Sequence, residues 1–551
     1  MLDLYDTTLR DGTQREGISL SVNDKLRVAE LIDSLGVHYI EGGWPGANTK
    51  DSEFFARVAE GELNLKHAAL TAFGMTRRPK REAAGDPALL ALLESRTPVV
   101  CLVGKSHDEH VTRAIGTELD ENLAMVADSL RLLRGEGRRT FFDAEHFFEG
   151  YFANRAYALA VLDAAIDGGV ECVVLCDTTG GMLPGQVSTV VADVVAHVGE
   201  RSRVGVHTHN DAECAVANAM VGLSAGATHV QGTVNGVGER CGNANLLSVM
   251  GNLVLKVGRQ VVTSDQLRRM SQVSHAVAEA MNLPPDGHQA YVGQAAFAHK
   301  AGLHASALAK DPDLYQHIEP ERVGNSLRLL VSELAGKATI VLKGRDLGLD
   351  LSSDDAAVGR VLEQVKNLEH AGYTFEAADA SFELLVRGET ETRHEPFRLE
   401  SFRTIVERRP NGEAVAEATV RAWVRSAADD GWERVMGVGE GNGPVDALDQ
   451  AFRAAVLTRF PELAPVRLAD YKVRIVETTD DQRAEPAVDG RTGTAATTRV
   501  LVSSSDGNRE WETVGVSPNI IDASWHAISD AYTYALQPTD GEETVTRNVR
   551  S

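Results

Sequence analysis

LDLYDTTLRDGTQ, residues 2–14, opens the chain with a short β-rich run that ends in a polar turn. A dinucleotide-binding fold would place a glycine-rich loop after this first strand, and the turn RDGTQ is not such a loop. Seven further β-rich runs follow, separated by amphipathic segments with apolar residues at helical spacing. The eight runs span residues 2–8, 39–43, 67–73, 99–103, 140–143, 172–176, 203–209 and 229–234. Eight strand–helix units in about 250 residues favour an α/β fold closed as a (β/α)8 TIM barrel, with an open, doubly wound sheet as the structural alternative.

The composition is that of a globular protein with an acidic surface. The chain has 551 residues, of which 43% are hydrophobic and 24% are charged, which excludes wholesale disorder. A formal net charge of −24 argues against a nucleic-acid partner. The five cysteines contain no CxxC pair, which disfavours a disulfide scaffold and structural zinc. Because no basic leader and no run of about 18 apolar residues occurs, we expect a cytoplasmic protein without a membrane partner.

The pattern predicts further domains after the barrel. We expect the catalytic barrel at residues 1–260, mostly helical linker subdomains at 261–380, a C-terminal α+β domain at 381–540 and a flexible tail at 541–551. The C-terminal domain contains a weak repeat, in which Trp432 and Trp511 each precede a glycine-containing strand end and then a helix. Two βββα units packed as a pseudo-twofold pair commonly form a ligand site at their shared seam.

A pair of histidines in the seventh run predicts a metal site. In VGVHTHND, residues 204–211, His207 and His209 alternate along a strand, so both imidazoles face one side. Asp11 lies in the loop at the carboxyl end of the first strand and Asn243 follows the eighth, and in a closed barrel these loops converge on one mouth. This donor set suits a divalent ion, Mg²⁺ or Mn²⁺ first and Zn²⁺ as the alternative. Two buried, hydrogen-bonded histidines without a metal are the structural alternative.

Three more residues are expected at the same mouth. Arg10, beside Asp11, is placed to stabilise a developing enolate or alkoxide oxygen, or only to hold its loop by an ion pair. Glu145, after the fifth strand, is a candidate general base or a solvated loop carboxylate. Thr178, in CDTTGG, offers a hydroxyl and a backbone amide to a substrate carboxylate, or simply completes a turn.

A basic run lies in the loop after the third strand. TRRPKR, residues 76–81, is unusual on so acidic a chain, and we interpret it as a candidate cradle for a phosphate-bearing substrate. A solvated basic loop is the alternative. The basic residues of the run are Arg77, Arg78, Lys80 and Arg81.

Several motifs resemble one enzyme family over nearly the whole chain. The chain resembles the α-isopropylmalate, citramalate and homocitrate synthases, acyltransferases that condense the methyl group of acetyl-CoA with a 2-oxo acid on a metal-bearing barrel. The resemblance rests on DTTLRDGTQ (6–14), HTHND (207–211) and NGVGERCGNA (235–244) in the barrel, on FAHKAGLHASAL (297–308) and VGNSLRLLVSELAGKATI (323–340) in the linker, and on GVGEGNGPVDALDQAF (437–452) in the C-terminal domain.

The resemblance implies a role for each matching position. It implies that Glu145 or His304 acts as the base, with His304 reaching the active site of a partner subunit. A tyrosine that some members use near this site corresponds to Leu327 here, so the choice between the two bases stays open. The other implied roles are metal ligation by Asp11, His207, His209 and Asn243, electrostatic catalysis by Arg10, and binding of the oxo-acid carboxylate by Thr178. We further expect Arg10, Gln14 and Trp44 to contact the substrate, and the basic residues Arg77, Arg78, Lys80 and Arg81 to contact the CoA phosphates.

One further segment concerns the substrate. EGGWPGAN, residues 41–48, resembles the long-form citramalate synthases, and the bulky Trp44 beside the metal loop would shrink the oxo-acid pocket toward pyruvate. This implies citramalate synthesis, feedback by isoleucine and at least a homodimer. The alternatives are a 2-isopropylmalate synthase using 2-oxoisovalerate for leucine, another 2-oxo-acid acyltransferase, a barrel lyase or aldolase, and a noncatalytic amino-acid-binding regulator.

Overall fold

The computed structural model describes two compact units. One unit comprises Met1–Phe297 and His317–Leu327, and the other comprises Ala298–Gln316 and Arg328–Ser551. Among the described residues no helix is both long enough and apolar enough to cross a bilayer. The described residues are 2–300, 302–308, 310–332, 334–349, 351, 354–390, 395–410, 412, 414–425, 431–476 and 496–537. The predicted tail at 541–551 lies outside them, and the predicted domain boundaries at 260 and 380 stay predictions.

The first unit contains a closed barrel of eight parallel strands in sequential order. The barrel closes where β1 pairs with β8, with Asp3 opposite His229 and Asp6 opposite Gly232. The predicted TIM barrel is therefore confirmed, and all eight β-rich runs contain a strand. The strands are β1 Asp3–Asp6, β2 Tyr39–Gly43, β3 Ala69–Met75, β4 Val99–Lys105, β5 Arg139–Glu145, β6 Cys172–Asp177, β7 Arg203–Thr208 and β8 His229–Gly232.

Helices cover the outside of the barrel. Side-chain caps begin several of them: Ser21 forms a capping box with Asp24, and the Asn48 side chain accepts from the Asp51 backbone amide. The helices of this unit are α1 Val22–Asp33, α2 Thr49–Ala59, α3 Pro87–Glu94, α4 Asp108–His110, α5 Leu119–Gly135, α6 Phe147–Ala153, α7 Arg155–Asp167, α8 Pro184–Val198, α9 Ala215–Ser224, α10 Leu246–Gly251, α11 Ser264–Leu267 and α12 Met270–Ala280.

The alternation of side chains along each strand separates two cores. On β4, Val100 and Leu102 belong to the core beneath the helices, whereas Cys101 belongs to the core inside the barrel. Inside the barrel, the Phe141 ring lies 4.9 Å from that of Tyr39 and 5.1 Å from that of His229. These rings come from β5, β2 and β8, so they fill the barrel across its width and leave its C-terminal mouth for polar residues.

The second unit begins with a mainly helical part, as predicted. The two-residue strands β9 Ala298–His299 and β10 Arg328–Leu329 pair in parallel, and the three helices that follow β10 share a small apolar core around Val361 and Phe382. The helices are α13 Gly302–Leu308, α14 Lys337–Asp346, α15 Asp355–His370 and α16 Asp379–Thr390.

The C-terminal part contains two successive βββα units, which confirms the predicted repeat. In each unit a glycine of the third strand lies directly against the helix: a Cβ on Gly437 would lie 2.1 Å from the Ala451 carbonyl oxygen, and one on Gly515 would lie 2.0 Å from that of Ala523. The elements are β11 Phe397–Arg408, β12 Ala414–Arg425, β13 Trp432–Gly441 and α17 Pro444–Val456, then β14 Arg467–Val476, β15 Thr497–Ser505, β16 Glu510–Ser517 and α18 Ile520–Ala535.

Candidate active site

Barrel closure brings one carboxylate and two imidazoles together. Asp11 follows β1, His207 lies on β7, and His209 directly follows that strand. The Asp11 Oδ2 atom lies 3.4 Å from His207 Nε2 and 3.7 Å from His209 Nε2, and the two Nε2 atoms are 3.1 Å apart. All three side chains are buried. Three atoms that commonly bind metals thus lie close together at the C-terminal mouth.

The geometry of this cluster fits a divalent ion. Two ligand atoms that each lie about 2.1 Å from one ion at a right angle are about 3 Å apart, close to the separations here. Asp11 Oδ1 and Asn243 Oδ1 are buried and have no hydrogen-bond partner among the described residues. Asn243 directs its amide nitrogen to the Val237 carbonyl at 3.4 Å, which leaves its oxygen for another partner. Because unpartnered buried oxygens are costly, the set fits a metal better than a histidine pair alone.

The electrostatics of the cluster also favour a cation. Burial alone would raise the pKa of the Asp11 carboxyl, but Arg10 and His207 hold it far below its usual range. Burial and the neighbouring His207 lower the pKa of His209 to about 3, so this imidazole is neutral at neutral pH and able to bind a metal. Burial alone would lower the pKa of His207, but its hydrogen bond to Asp11 and the charge of that carboxylate raise it.

Arg10 is held rigidly at the edge of the cluster. Its Nε donates to the buried Glu41, its Nη1 lies 3.3 Å from Asp11 Oδ2, and its guanidinium carbon lies 3.9 Å from the centre of the Phe73 ring. The other Glu41 oxygen accepts from the Tyr5 hydroxyl. Burial alone would lower the pKa of Arg10, but Glu41 and Asp11 raise it. The arginine is therefore a fixed positive charge beside the candidate metal site.

A cavity of about 330 Å³ contains most of the predicted site residues. Its lining includes Arg10, Gln14, Trp44, Glu145 and Thr178 together with the Asp11, His207 and His209 cluster. The Trp44 indole packs edge-to-face on Phe73, with ring centres 5.3 Å apart, and forms an apolar wall. The arrangement can hold a small anionic ligand between a cation site and an aromatic wall.

The candidate base lies beside a lysine that the sequence analysis did not identify. Glu145 ends β5 and Lys105 ends β4, and the two residues are direct partners in the parallel register. The Lys105 Nζ atom lies 2.5 Å from Glu145 Oε2. This ion pair places a positive charge beside the carboxylate that is the candidate for removing a proton.

Thr178 is held by two neighbouring loops. Its hydroxyl accepts from the His146 backbone amide at 2.9 Å, so its own proton is available to a ligand. Its carbonyl accepts from Arg240 at 2.7 Å, and Arg240 also makes a bidentate pair with Asp211 at 2.7 and 3.0 Å. Arg240 thereby joins the loops after β6, β7 and β8.

Two of the predicted site residues, His304 and Arg77, are not among the residues that line this cavity. His304 lies on α13 of the second unit, where its ring stacks on Tyr315 with centres 4.2 Å apart. Arg77 requires a correction, because its guanidinium is buried and pairs with Glu121 at 2.7 Å and Asp128 at 3.0 Å, which commits it to α5. The other basic residues of that run, Arg78, Lys80 and Arg81, are exposed and remain candidates for phosphate.

Sequence reasoning missed the partners that orient the predicted residues. Glu41, Asp143 and Gln231 are buried polar side chains inside otherwise apolar strands, and Lys105 ends one. A polar residue in an apolar strand is a usable signal, since an isolated buried charge needs a partner. Its partner, however, comes from another strand and is visible only once the strands are paired.

Comparison with known proteins gives full-length relatives. The (R)-citramalate synthase of Streptomyces coelicolor is 56% identical over 534 residues, which cover 97% of this chain and 96% of the relative. The (R)-citramalate synthase of Aquifex aeolicus is 44% identical and covers 98% of both chains. The 2-isopropylmalate synthase of Sulfolobus acidocaldarius is 32% identical and covers 68% of this chain and 93% of the relative.

A closed barrel whose mouth gathers a carboxylate, two imidazoles and a fixed arginine defines a class of metal-dependent barrel enzymes. The HMGL-like family matches residues 1–277, a homocitrate synthase post-HMGL domain-like family matches 291–372, and the LeuA allosteric (dimerisation) domain matches 376–536. The chain belongs to the HMGL-like family and, within it, to the (R)-citramalate synthases. The family membership expected from the motifs is confirmed.

Proposed function

We propose that the protein condenses the methyl carbon of acetyl-CoA with the oxo carbon of pyruvate and hydrolyses the thioester, giving citramalate and CoA. The observation that carries this proposal is the Asp11, His207 and His209 cluster inside a small cavity walled by Trp44. The full-length identity to (R)-citramalate synthases supports pyruvate as the oxo acid. The reaction would supply a precursor for isoleucine.

The oxo acid is activated at the cluster. A divalent metal, Mg²⁺ or Mn²⁺ first and Zn²⁺ as the alternative, held by Asp11, His207, His209 and Asn243, would polarise the oxo group of pyruvate. Arg10 donates to the oxo oxygen as that atom gains negative charge, and its rigid contact with Glu41 keeps it oriented before the reaction begins. The Thr178 hydroxyl donates to the pyruvate carboxylate, and Gln14 contributes to the same pocket.

Carbon–carbon bond formation needs a base. The Glu145 carboxylate removes a proton from the acetyl methyl group, or His304 of a second subunit does so, and the electron pair of that C–H bond forms the new bond to the oxo carbon. The oxo oxygen takes up a proton to become the tertiary hydroxyl. Water then cleaves the thioester, the acyl carbon becomes a carboxylate and CoA leaves as the thiol. The sum is acetyl-CoA, pyruvate and water to citramalate, CoA and one proton.

The outer parts of the protein serve binding and control. The exposed Arg78, Lys80 and Arg81 bind the CoA phosphates, since guanidinium and ammonium groups are good phosphate partners. The LeuA-like domain at residues 376–536 binds isoleucine as feedback inhibitor and joins two subunits as a homodimer.

Substrate profiling tests the proposal. CoA thiol release is measured with acetyl-CoA and, in turn, pyruvate, 2-oxobutanoate, 2-oxoisovalerate and 2-oxoglutarate. We expect the highest kcat/KM for pyruvate and thiol release only when both substrates are present. A preference for 2-oxoisovalerate would instead indicate an isopropylmalate synthase. Cleavage of citramalate alone into pyruvate and acetate would indicate a lyase, and no turnover of any pair would indicate a regulator.

A separate experiment tests the control domain. Isoleucine, leucine and lysine are titrated against the full chain by calorimetry and in the thiol assay. We expect isoleucine to bind and inhibit, and inhibition by leucine alone would contradict the assignment.

A further inference from the structure

A chain of buried hydrogen bonds runs away from the metal cluster into the barrel. His207 Nδ1 lies 2.7 Å from Gln231 Oε1, and Gln231 Nε2 donates to Asp143 Oδ1 at 2.9 Å. The Cys101 thiol also donates to Asp143 Oδ1, at 3.2 Å. These residues come from β7, β8, β5 and β4, and each is at most 4% exposed. No step of the proposed reaction uses Gln231, Asp143 or Cys101.

The Cys101 thiol stands at the far end of this series of hydrogen bonds and determines the direction of each of them. Burial raises the pKa of the Cys101 thiol well above its usual range, so the thiol keeps its proton and donates. Asp143 Oδ1 is therefore an acceptor, and the Gln231 atom facing it must be the amide nitrogen, because the amide oxygen there would place two acceptors together. The Gln231 oxygen then faces His207 Nδ1, which must carry a proton.

Fixing the proton on Nδ1 fixes the role of the other nitrogen. A neutral imidazole with its proton on Nδ1 has its lone pair on Nε2, the atom that faces Asp11 and His209. His209 has no comparable support, since its buried Nδ1 has no hydrogen-bond partner within the described chain. Of the two imidazoles in the cluster, His207 thus has a side-chain partner at its Nδ1 atom and His209 has none among the described residues.

We propose that Gln231 and Asp143 are positioning residues that hold the His207 ring in the Nδ1-protonated tautomer and so set the affinity of the site for its divalent metal. This inference rests on the metal site of the proposed function. Partners that orient a metal-binding imidazole typically contribute about 10–100-fold to metal affinity.

Calorimetric titration of the metal-free protein with Mn²⁺ tests the proposal. Gln231→Met keeps the length of the side chain and removes its acceptor, so we expect the Kd for Mn²⁺ to rise about 10–100-fold. The double variant Gln231→Glu with Asp143→Asn reverses the polarity of the second bond and still offers His207 an acceptor, so its Kd should return to within about threefold of wild type. Cys172→Ala is the matched control, because Cys172 is also buried inside the barrel and its thiol is directed to the Val173 carbonyl.

A second measurement observes the His207 ring directly in wild-type protein and uses the His207→Asn variant only to assign its signals. In ¹⁵N-histidine-labelled wild-type protein without metal, the imidazole signals that disappear in His207→Asn should show the proton on Nδ1. A neutral His207 ring with its only proton on Nε2, or a Gln231→Met affinity within twofold of wild type, overturns the proposal. If wild-type protein and Asp11→Asn bind Mn²⁺ equally, the metal site itself is wrong, and both this inference and the proposed function fall.

Discussion

Glu41→Gln is expected to weaken both the barrel and the reaction, because one buried carboxylate holds Arg10, the arginine proposed to act in catalysis. One Glu41 oxygen accepts from Arg10 Nε and the other accepts from the Tyr5 hydroxyl. Glu41 is 0% exposed and the Arg10 side chain is 12% exposed, so solvent screens this ion pair poorly. The glutamine retains the shape of the side chain and removes its charge.

The size of the effect follows from these contacts. Breaking a buried ion pair at one partner costs about 3–5 kcal/mol, and the lower end applies because Arg10 keeps Asp11 and the Phe73 ring as partners. A loss of about 3 kcal/mol lowers the Tm of a barrel domain by roughly 6–12 °C. A guanidinium displaced by about 1 Å from the oxo oxygen lowers kcat/KM by about 100-fold.

Two assays distinguish a loss of barrel stability from a loss of catalytic activity. Thermal unfolding gives the Tm, and thiol release gives kcat/KM for pyruvate at a temperature where both proteins are folded. Tyr5→Phe is the control, because it removes the other hydrogen bond of Glu41 and leaves the Arg10 contact intact. We expect Tyr5→Phe to lower the Tm while kcat/KM stays within about threefold of wild type. Wild-type kcat/KM in folded Glu41→Gln would refute the assigned role of Arg10.

Three further predictions follow from single contacts. Arg240→Ala removes the donor to the Thr178 carbonyl, so KM for pyruvate should rise about tenfold while kcat changes less; Arg155→Ala, which removes another surface ion pair, should leave both unchanged. Trp44→Ala opens the apolar wall, so kcat/KM for 2-oxobutanoate relative to pyruvate should rise by about 10–200-fold, and an unchanged ratio would remove Trp44 from the pocket. Burial raises the pKa of Asp6 from 3.8 to about 7, so the folded chain holds a proton that the unfolded chain releases near pH 4. In urea unfolding, the free energy of unfolding of wild type should therefore fall by up to roughly 4 kcal/mol relative to that of Asp6→Asn as the pH rises from 4 to 7. A difference between the two proteins that does not change with pH would contradict a protonated, buried Asp6.

The sequence predicted the barrel better than it predicted the ends of its strands. Each apolar run marked a strand because both faces of a barrel strand are buried. The first strand ends at Asp6 rather than at residue 8, because the amide and hydroxyl of Thr8 donate to the Asp6 carboxyl group. The fourth and fifth strands extend two residues beyond their predicted ends, to Lys105 and Glu145, because those residues pair with each other. The pattern of apolar residues within one segment does not show which residues of two strands pair, so it cannot fix where a strand ends.

The site residues were likewise predictable only in part. Asp11, His207 and His209 were predictable as a cluster because barrel topology brings the ends of the first, seventh and eighth strands to one mouth. Gln231 was not, because its partners come from two other strands. The basic run at residues 76–81 suggested a phosphate-binding loop, but its local sequence does not show that Arg77 pairs with Glu121 on α5 instead.

We propose that a cation held by Asp11 and the two imidazoles activates pyruvate. The most direct test combines metal binding and turnover in wild type and Asp11→Asn, with both proteins stripped by chelator and then supplied with Mn²⁺. We predict that stripped wild type releases no CoA thiol and recovers with one Mn²⁺ per chain, and that folded Asp11→Asn neither binds the ion nor recovers. Thiol release from chelator-stripped wild type at the full rate would contradict the account.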